Sequence, residues 1–190
     1  VLSVAATTHD RALLRQLVLT GGNAPRPGGG SLYGEGSASG TLIPTFIAKD
    51  PSYPLCATGA DPDNGATGVS KPPTWTASSY FAARLVACER GYYARVAKST
   101  NVEIAGGTGM ILYNQAEEGD SLVTGPYNIP TVHLTYADGQ AFLAWLNAGS
   151  GHIGEIKPAS WSFSPGSGDK LASFSGRGPV IPTGIIKPDL

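Results

Sequence analysis

Apolar residues in the second half of the chain fall into short runs separated by polar segments. Residues 85–88 and 110–113 are continuous apolar runs, which is typical of strands that are buried on both faces. The segment between them, residues 93–105, contains no Gly or Pro and ends at Gly106-Gly107, so it predicts a helix followed by a stop signal. The pattern therefore predicts a strand, a helix and a second strand in one unit of the size of a βαβ motif.

A second helix is predicted to begin after residue 134. Its apolar stripe consists of residues at helical spacing, namely Ala137, Ala141, Phe142, Trp145 and Leu146. Thr135, followed three residues later by Asp138, resembles a capping box, and Gly149 suits the position after the last turn. Strands are predicted on both sides of this helix, over residues 129–134 and 151–157.

The first fifty residues contain two apolar stretches that are separated by a long irregular segment. Residues 12–20 are an apolar stretch that suits a strand or one turn of helix. Residues 41–48 suit a strand in which Pro44 requires an edge position or a bulge. Between these two stretches, residues 23–40 are rich in Gly, Pro and Ser and predict a loop or linker.

Two further segments are predicted to be irregular. Residues 50–76 contain five prolines, and a segment of this length without regular structure is usually functional or held by a crosslink. Residues 164–170 are rich in Gly and Ser and predict a second hinge. A compact α+β core between two Gly-rich stretches is the organisation expected of a domain that is inserted into another domain.

Composition and charge exclude two classes of partner. The 190 residues carry a net charge of −1, and only 14% of them are charged. This leaves no basic face for nucleic acid, and the longest apolar runs are too short to span a bilayer. The length suffices for one core. Because the sequence starts without Met inside an apolar run, we expect it to be a piece of a longer protein, and its low charge suits an exported one.

The core resembles a known family in an ordered series of segments. Residues 87–114 (ACERGYYARVAKSTNVEIAGGTGMILYN) and residues 129–149 (IPTVHLTYADGQAFLAWLNAG) resemble the protease-associated (PA) domain, and the resemblance extends over roughly residues 41–156. The flanks, residues 1–11 (VLSVAATTHDR) and 174–189 (FSGRGP…KPD), resemble the catalytic domain of subtilisin-like serine proteases, with Gly176 in place of the usual second serine.

This resemblance implies a fold and a division of the chain. We expect an α+β fold: a PA-like, β-rich barrel or sandwich with about two helices, and short flanking strands from the subtilase catalytic domain. Residues 1–40 would comprise a flanking strand and a Gly-rich linker, and residues 41–157 the PA domain. Residues 158–190 would comprise a linker and the strand that re-enters the catalytic domain.

The resemblance also implies a function. In subtilases the PA domain interrupts the catalytic domain between its histidine and its serine, so the catalytic triad would lie outside this chain. We therefore expect a non-catalytic domain of a secreted subtilisin-like serine endopeptidase, inactive alone and involved in substrate recognition, access or protein contact. Its partners would be a protein or peptide substrate and the remainder of the catalytic domain. The alternative is a free-standing secreted module that binds carbohydrate or peptide.

The chemistry-bearing residues agree with a non-catalytic chain. Neither His9, His133 nor His152 fits a triad position, and no GxSxG nucleophile motif occurs in the sequence. We expect His133 to be a hydrogen-bonded structural residue and His9 to lie at the surface. No zinc ligand spacing is present. No cofactor or metal is expected, although residues 61–65 (DPDNG) keep calcium open as a minority alternative to a solvated turn.

Aromatic and cysteine residues provide the remaining candidates. Tyr92, Tyr93 and Trp75 are candidate binding residues, because exposed aromatics are enriched at recognition surfaces. We expect Phe81 and Trp145 to belong to the core. The chain has two cysteines, Cys56 and Cys88, which are either buried thiols or a disulfide worth about 4 kcal/mol. The exported protein implied by the resemblance favours the disulfide.

Overall fold

A computed structural model of the chain describes residues 7, 9–36, 40, 42–51, 53–58, 61, 75, 79–166, 168 and 170. The chain divides into two compact units, of which the larger spans Leu13–Ser160. The smaller unit combines residues 1–12 and 161–190. Within its described part, the Ser164 amide donates to the Asp10 carbonyl oxygen at 2.8 Å. The segment that resembles the subtilase motif, residues 174–189, lies outside the described residues.

Seven strands form a closed barrel in the larger unit. In chain order they are β1 (Arg11–Gly21), β2 (Ser31–Glu35), β3 (Thr45–Ala48), β4 (Leu85–Glu89), β5 (Gly109–Tyr113), β6 (Thr131–Leu134) and β7 (His152–Ile156). Their order around the barrel is β2-β6-β5-β4-β3-β7-β1, and the pairing of β1 with β2 closes it. An eighth strand, β8 (Ser160–Phe163), begins at the last residue of this unit.

The strand directions define two ends of the barrel. Strands β3 to β6 are parallel neighbours, whereas β1 is antiparallel to both β2 and β7. Since β7 is also antiparallel to β3, strand β1 runs in the same direction as β3 to β6. The carboxyl ends of these five strands therefore meet at one end of the barrel, here called the loop end. Leu13 and Ser160, where the unit begins and ends, lie at the opposite end.

Continuous apolar runs form β4 and β5 because both faces of these strands are covered. Alternate residues of β4, Leu85 and Ala87, pack in a cluster with Phe142 and Trp145 of the second helix. The intervening residue Val86 belongs to a second cluster, on the side of the first helix. The predicted strand–helix–strand unit is confirmed, since β4 and β5 are parallel and the first helix connects them.

The two helices begin and end close to the predicted positions. They are α1 (Arg95–Ile104) and α2 (Tyr136–Asn147). The Thr135 hydroxyl accepts a hydrogen bond from the Asp138 amide at 3.2 Å, as the capping pattern predicts. Gly149, with φ of +96°, follows the last turn of α2. The structure therefore confirms the predicted α+β class, a β-rich barrel with two helices.

The prediction of a loop or linker over residues 23–40 is wrong, because strand β2 lies inside this segment. Two glycines of this segment are required by the close packing of β2 against β6. A Cβ at Gly34 would collide with the carbonyl oxygen of His133, and one at Gly36 with that of Thr131. Glycine here lets β2 approach β6 closely enough to close the barrel, so a composition typical of linkers belongs to a strand. The larger unit begins at Leu13 and therefore includes this strand.

Candidate functional site

The loop that follows β4 builds a surface depression at the loop end. Its volume is about 410 Å³, and it is lined by residues 90–96 together with Glu118 and residues 124–126. Tyr92 stands at this depression with 52% of its surface exposed. We call this feature the Tyr92 depression.

Tyr92 is held in a backbone conformation that favours glycine. Its φ is +54°, and the Tyr93 amide donates to the Gly91 carbonyl oxygen at 2.6 Å, which closes a three-residue turn around Tyr92. Such a conformation costs a residue with a Cβ about 1–2 kcal/mol. An exposed tyrosine kept at this cost is an observation from which a functional role can be inferred.

A hydrogen-bond network fixes the floor of the loop end. Arg90 donates from Nη1 to the Asn114 Oδ1 atom at 3.1 Å and to the Ser121 carbonyl oxygen at 2.6 Å. Its Nε lies 3.7 Å from a carboxylate oxygen of Glu118. Burial lowers the pKa of Arg90, and the charge of Glu118 opposes this shift. The guanidinium therefore ties the loop after β5 to the end of β4.

His133 completes this network as a neutral side chain. Its Nε2 lies 2.7 Å from Asn114 Oδ1, and the Val123 amide donates to its Nδ1 at 3.2 Å. Asn114 Nδ2 donates to two carbonyl oxygens, those of Gly119 and Ser121, so Oδ1 is the acceptor and His133 carries its proton on Nε2. Burial lowers the pKa of His133 to about 4. The prediction that His133 is a hydrogen-bonded structural residue is confirmed.

Two of the three candidate aromatic residues are buried, so their expected exposure is wrong. The Tyr93 hydroxyl lies 2.9 Å from that of Tyr53. The Trp75 indole donates to Asp50 Oδ2 at 2.8 Å, and its ring packs edge-on against Phe81 at 4.5 Å. Aromatic side chains with a polar atom are readily buried when that atom finds a partner. A binding role for Tyr92 stays a prediction.

A short segment crosses the first helix beside these residues. This strap, residues 53–58, contains Cys56, which is joined to Cys88 of β4 by a disulfide with a Cα–Cα distance of 5.6 Å. Two side chains of α1 hold its backbone: Lys98 Nζ donates to the Leu55 carbonyl oxygen at 2.5 Å, and Asn101 Nδ2 donates to that of Cys56 at 3.0 Å. The strap thus covers α1 and carries both covalent and polar links.

Sequence reasoning missed the buried Lys98. A lysine in a polar helix is ordinarily assigned to the solvated face, and no local pattern indicates that a segment forty residues earlier covers it. Its ammonium lies 5.3 Å from the centre of the Tyr93 ring. Burial lowers the pKa of Lys98 to about 7, with Glu89 as the largest opposing influence. Glu89 itself was detectable, because it directly follows the apolar run of β4 at the carboxyl end of a strand.

The other expected features are distributed as follows. His9 is exposed, as predicted, and its Nδ1 accepts from the Arg11 amide. Phe81 and Trp145 lie in the core, as predicted. Among the described residues, no group of three or more His, Cys, Asp or Glu side chains is arranged to hold a metal ion. Residues 62–65 of the calcium alternative lie outside the described residues, and Asp61 Oδ2 accepts from Asn101 Nδ2 at 2.8 Å.

Of the described helices, neither α1 nor α2 combines the length and the apolar character that crossing a bilayer requires.

The fold defines an α+β barrel domain whose loop end is fixed by a polar network. The PA domain family matches residues 48–142, and the chain belongs to this family. Its relatives include the subtilisin-like proteases SBT5.3 and SBT1.6 of Arabidopsis thaliana, which are 29% and 31% identical over the whole chain. The minor extracellular protease Vpr of Bacillus subtilis (strain 168) is 36% identical over 56% of the chain and 13% of its own length.

The chain spans only 23% of the length of each of the two Arabidopsis relatives. Among solved structures, an aminopeptidase from Aneurinibacillus sp. strain AM-1 is similar, with a TM-score of 0.48 and 18% sequence identity. That similarity covers 82% of this chain and 35% of the aminopeptidase.

Proposed function

We propose that this PA domain is the non-catalytic recognition module of a secreted subtilisin-like serine endopeptidase. It binds segments of protein substrates at the loop end of its barrel, while the parent protease hydrolyses the peptide bond elsewhere. Its partners are therefore a protein substrate and the remainder of the catalytic domain.

The observation that carries this proposal is the Tyr92 depression. A tyrosine that is more than half exposed occupies a backbone conformation in which glycine would be less strained. The depression is also formed by segments that Arg90 and Asn114 hold in place, so the surface is organised before a ligand arrives. Tyrosine on a rigid support is a common centre of protein recognition.

Two further observations support the assignment to a secreted protease. Relatives that carry the name protease match the flanks as well as the core, since two of them align with the whole chain. The disulfide between Cys56 and Cys88 suits an oxidising compartment. A free-standing module that binds carbohydrate or peptide stays the alternative prediction, and it gives no reason for protease-like flanks.

The proposal is tested by binding of an unfolded protein substrate. We expect the chain to bind fluorescently labelled β-casein, and Tyr92→Ala to weaken binding about tenfold, since loss of one central tyrosine costs on the order of 1–2 kcal/mol. Fluorescence anisotropy gives the dissociation constants. Tyr33→Ala is the matched control, because Tyr33 is 59% exposed on the barrel strand β2.

The outcomes are distinct. Weaker binding by Tyr92→Ala with unchanged binding by Tyr33→Ala supports recognition at the depression. Equal loss in both variants, unchanged binding in both, or no binding by the wild-type chain contradicts the proposal. A thermal unfolding curve for each variant establishes that the comparison is between folded proteins.

A further inference from the structure

The loop end holds a second cavity that is separate from the Tyr92 depression. Its volume is about 250 Å³, and it lies between the ends of β4 and β5 and the first half of α2. We call it the Glu89 cavity. The side chains that matter for its chemistry are Glu89, Tyr113, Gln115, Glu117, Tyr136 and Leu143.

A carboxylate is oriented at the wall of this cavity. Glu89 is the last residue of β4, and its Oε1 accepts from Gln115 Nε2 at 2.6 Å. The Tyr113 hydroxyl interacts with this carboxylate and opposes the rise of its pKa. A carboxylate offers about four acceptor positions, so the bond from Gln115 orients it and leaves acceptor capacity for a ligand.

Desolvation makes this carboxylate receptive to a cation. Partial burial is the largest influence on the pKa of Glu89 and raises it, whereas the charge of Lys98 opposes the shift. A positive charge that enters the cavity would reverse the cost of this burial. A positively charged ligand at this wall would therefore stabilise the ionised carboxylate of Glu89.

Lys98 acts on Glu89 through its charge, but its hydrogen bond is made elsewhere. Its ammonium donates to the carbonyl oxygen of Leu55 and faces the ring of Tyr93, which are both on the strap side of the first helix. The lining of the Glu89 cavity contains two carboxylates, of Glu89 and Glu117, and no basic side chain. The cavity therefore presents negative charge to solvent.

The remaining walls suit the stem of a long basic side chain. Leu143 supplies an aliphatic surface, and Tyr113 and Tyr136 supply two aromatic rings. Lysine and arginine bury their methylene stems against apolar surface, and their charged ends are attracted to aromatic faces. A volume of this size accommodates one such side chain and not a folded segment.

We propose that the Glu89 cavity binds the charged end of a lysine or arginine side chain from the protein segment that the domain recognises. This inference rests on the proposed function, which it deepens by naming a property of the substrate. The Tyr92 depression would hold the segment, and the Glu89 cavity would select a basic residue within it.

Matched peptides test the preference directly. Two ten-residue peptides of Gly and Ser differ at one central position, which is lysine in one and norleucine in the other. Titration of the isotope-labelled chain, followed by amide chemical shifts, should show the lysine peptide shifting Gln115 and Tyr136. We expect the norleucine peptide to bind about fivefold more weakly, which corresponds to roughly 1 kcal/mol for a partly exposed ion pair. An arginine and citrulline pair repeats the comparison.

Variants establish that Glu89 is responsible. Glu89→Gln should abolish the difference between the lysine and norleucine peptides and leave the Tyr92 amide response unchanged. Glu103→Gln is the control, since this exposed carboxylate on α1 changes the net charge equally but does not line the cavity. Tyr136→Ala is a second test that leaves the charge intact, and it should weaken binding of both basic peptides.

The inference fails if the lysine and norleucine peptides bind equally, or if Glu89→Gln keeps the preference. This failure is distinguishable from failure of the proposed function. Casein binding that depends on Tyr92 but shows no preference for basic peptides overturns only the Glu89 inference. A preference for basic peptides that depends on Glu89, with casein binding insensitive to Tyr92→Ala, overturns only the Tyr92 proposal.

Discussion

His133 shows how one buried side chain makes the loop end sensitive to acid. Its ring joins the end of β6 to Asn114 and Val123, and both ring nitrogens are used in its neutral form. Protonation would replace the acceptor at Nδ1 by an N–H, so the bond from the Val123 amide would be lost, and the new donor would face the Val123 carbonyl oxygen at 3.3 Å instead. Burial is the largest influence against the charged form, and the bond to Val123 only partly opposes it, so the folded chain favours neutral His133.

The shift in the pKa of His133 fixes the pH range of this effect. Folding lowers the pKa from 6.5 to about 4, so the unfolded chain binds more protons than the folded chain between these values. The contribution of His133 to stability is complete above pH 6.5 and is lost as the pH falls toward 4. We expect a loss of about 3 kcal/mol, since one pKa unit corresponds to about 1.4 kcal/mol.

Urea unfolding at a series of pH values between 4 and 8 measures this loss. His133→Gln keeps a side-chain donor for Asn114 and does not titrate, so the difference between wild type and variant isolates the histidine from other titrating groups. The slope of stability against pH should be smaller in the variant. Equal slopes in the two proteins would contradict the assignment.

At the residue scale, the sequence predicts the structural role of a residue where a local pattern determines it, but it does not predict burial that depends on distant partners. The roles of His133 and Trp145 follow from local pattern, because each lies at a definite position in a strand or on the apolar stripe of a helix. Tyr93 and Trp75 were expected to be exposed, yet their polar atoms find partners on Tyr53 and Asp50, which precede them by 25 residues or more. Contacts of this range depend on the complete fold, so no local pattern reports them.

At the scale of elements, the strap depends on one covalent link and a few polar contacts. The disulfide closes a loop with a sequence separation of 32 residues. The entropy of loop closure in the unfolded chain gives a contribution of about 4 kcal/mol for this length. We expect the Cys56→Ala, Cys88→Ala double variant to lose stability of this order, measured by thermal and urea unfolding.

Mass spectrometry provides the chemical control for this prediction. The unfolded but unreduced chain should gain no mass on treatment with iodoacetamide, whereas the reduced chain should gain two carbamidomethyl groups. Alkylation without reductant would show free thiols and contradict the disulfide. A wild-type chain whose stability does not change with reductant would contradict the energetic argument.

The elements also show where sequence patterns cease to predict structure. The βαβ unit and α2 were predicted because their signals, apolar runs and a cap, are local. Strand β2 was missed because Gly34 within it and Gly36 directly after it serve a close approach to the carbonyl groups of β6, about a hundred residues later. Composition alone does not separate a glycine in a linker from one that closes a barrel.

At the scale of the whole molecule, the barrel of the larger unit separates the two proposed binding features from the residues where that unit begins and ends. The Tyr92 depression and the Glu89 cavity lie among the loops after β4 and β5, and Leu13 and Ser160 lie at the other end. This arrangement is compatible with the proposed recognition module. We therefore expect the domain to contribute binding and not bond cleavage.

The chain by itself should therefore be unable to cleave peptide bonds. His133 bonds to Asn114 and Val123, His152 Nε2 lies 3.2 Å from the carbonyl oxygen of Ala148, and His9 accepts from the Arg11 amide, so no described histidine is hydrogen-bonded to a serine hydroxyl. We expect the purified chain to release no fragments from β-casein and to remain unlabelled by a fluorophosphonate probe. Subtilisin, assayed in parallel, is the positive control for both measurements. Labelling that disappears on heat denaturation, together with casein cleavage by the same preparation, would show an active serine and contradict the assignment of a non-catalytic domain.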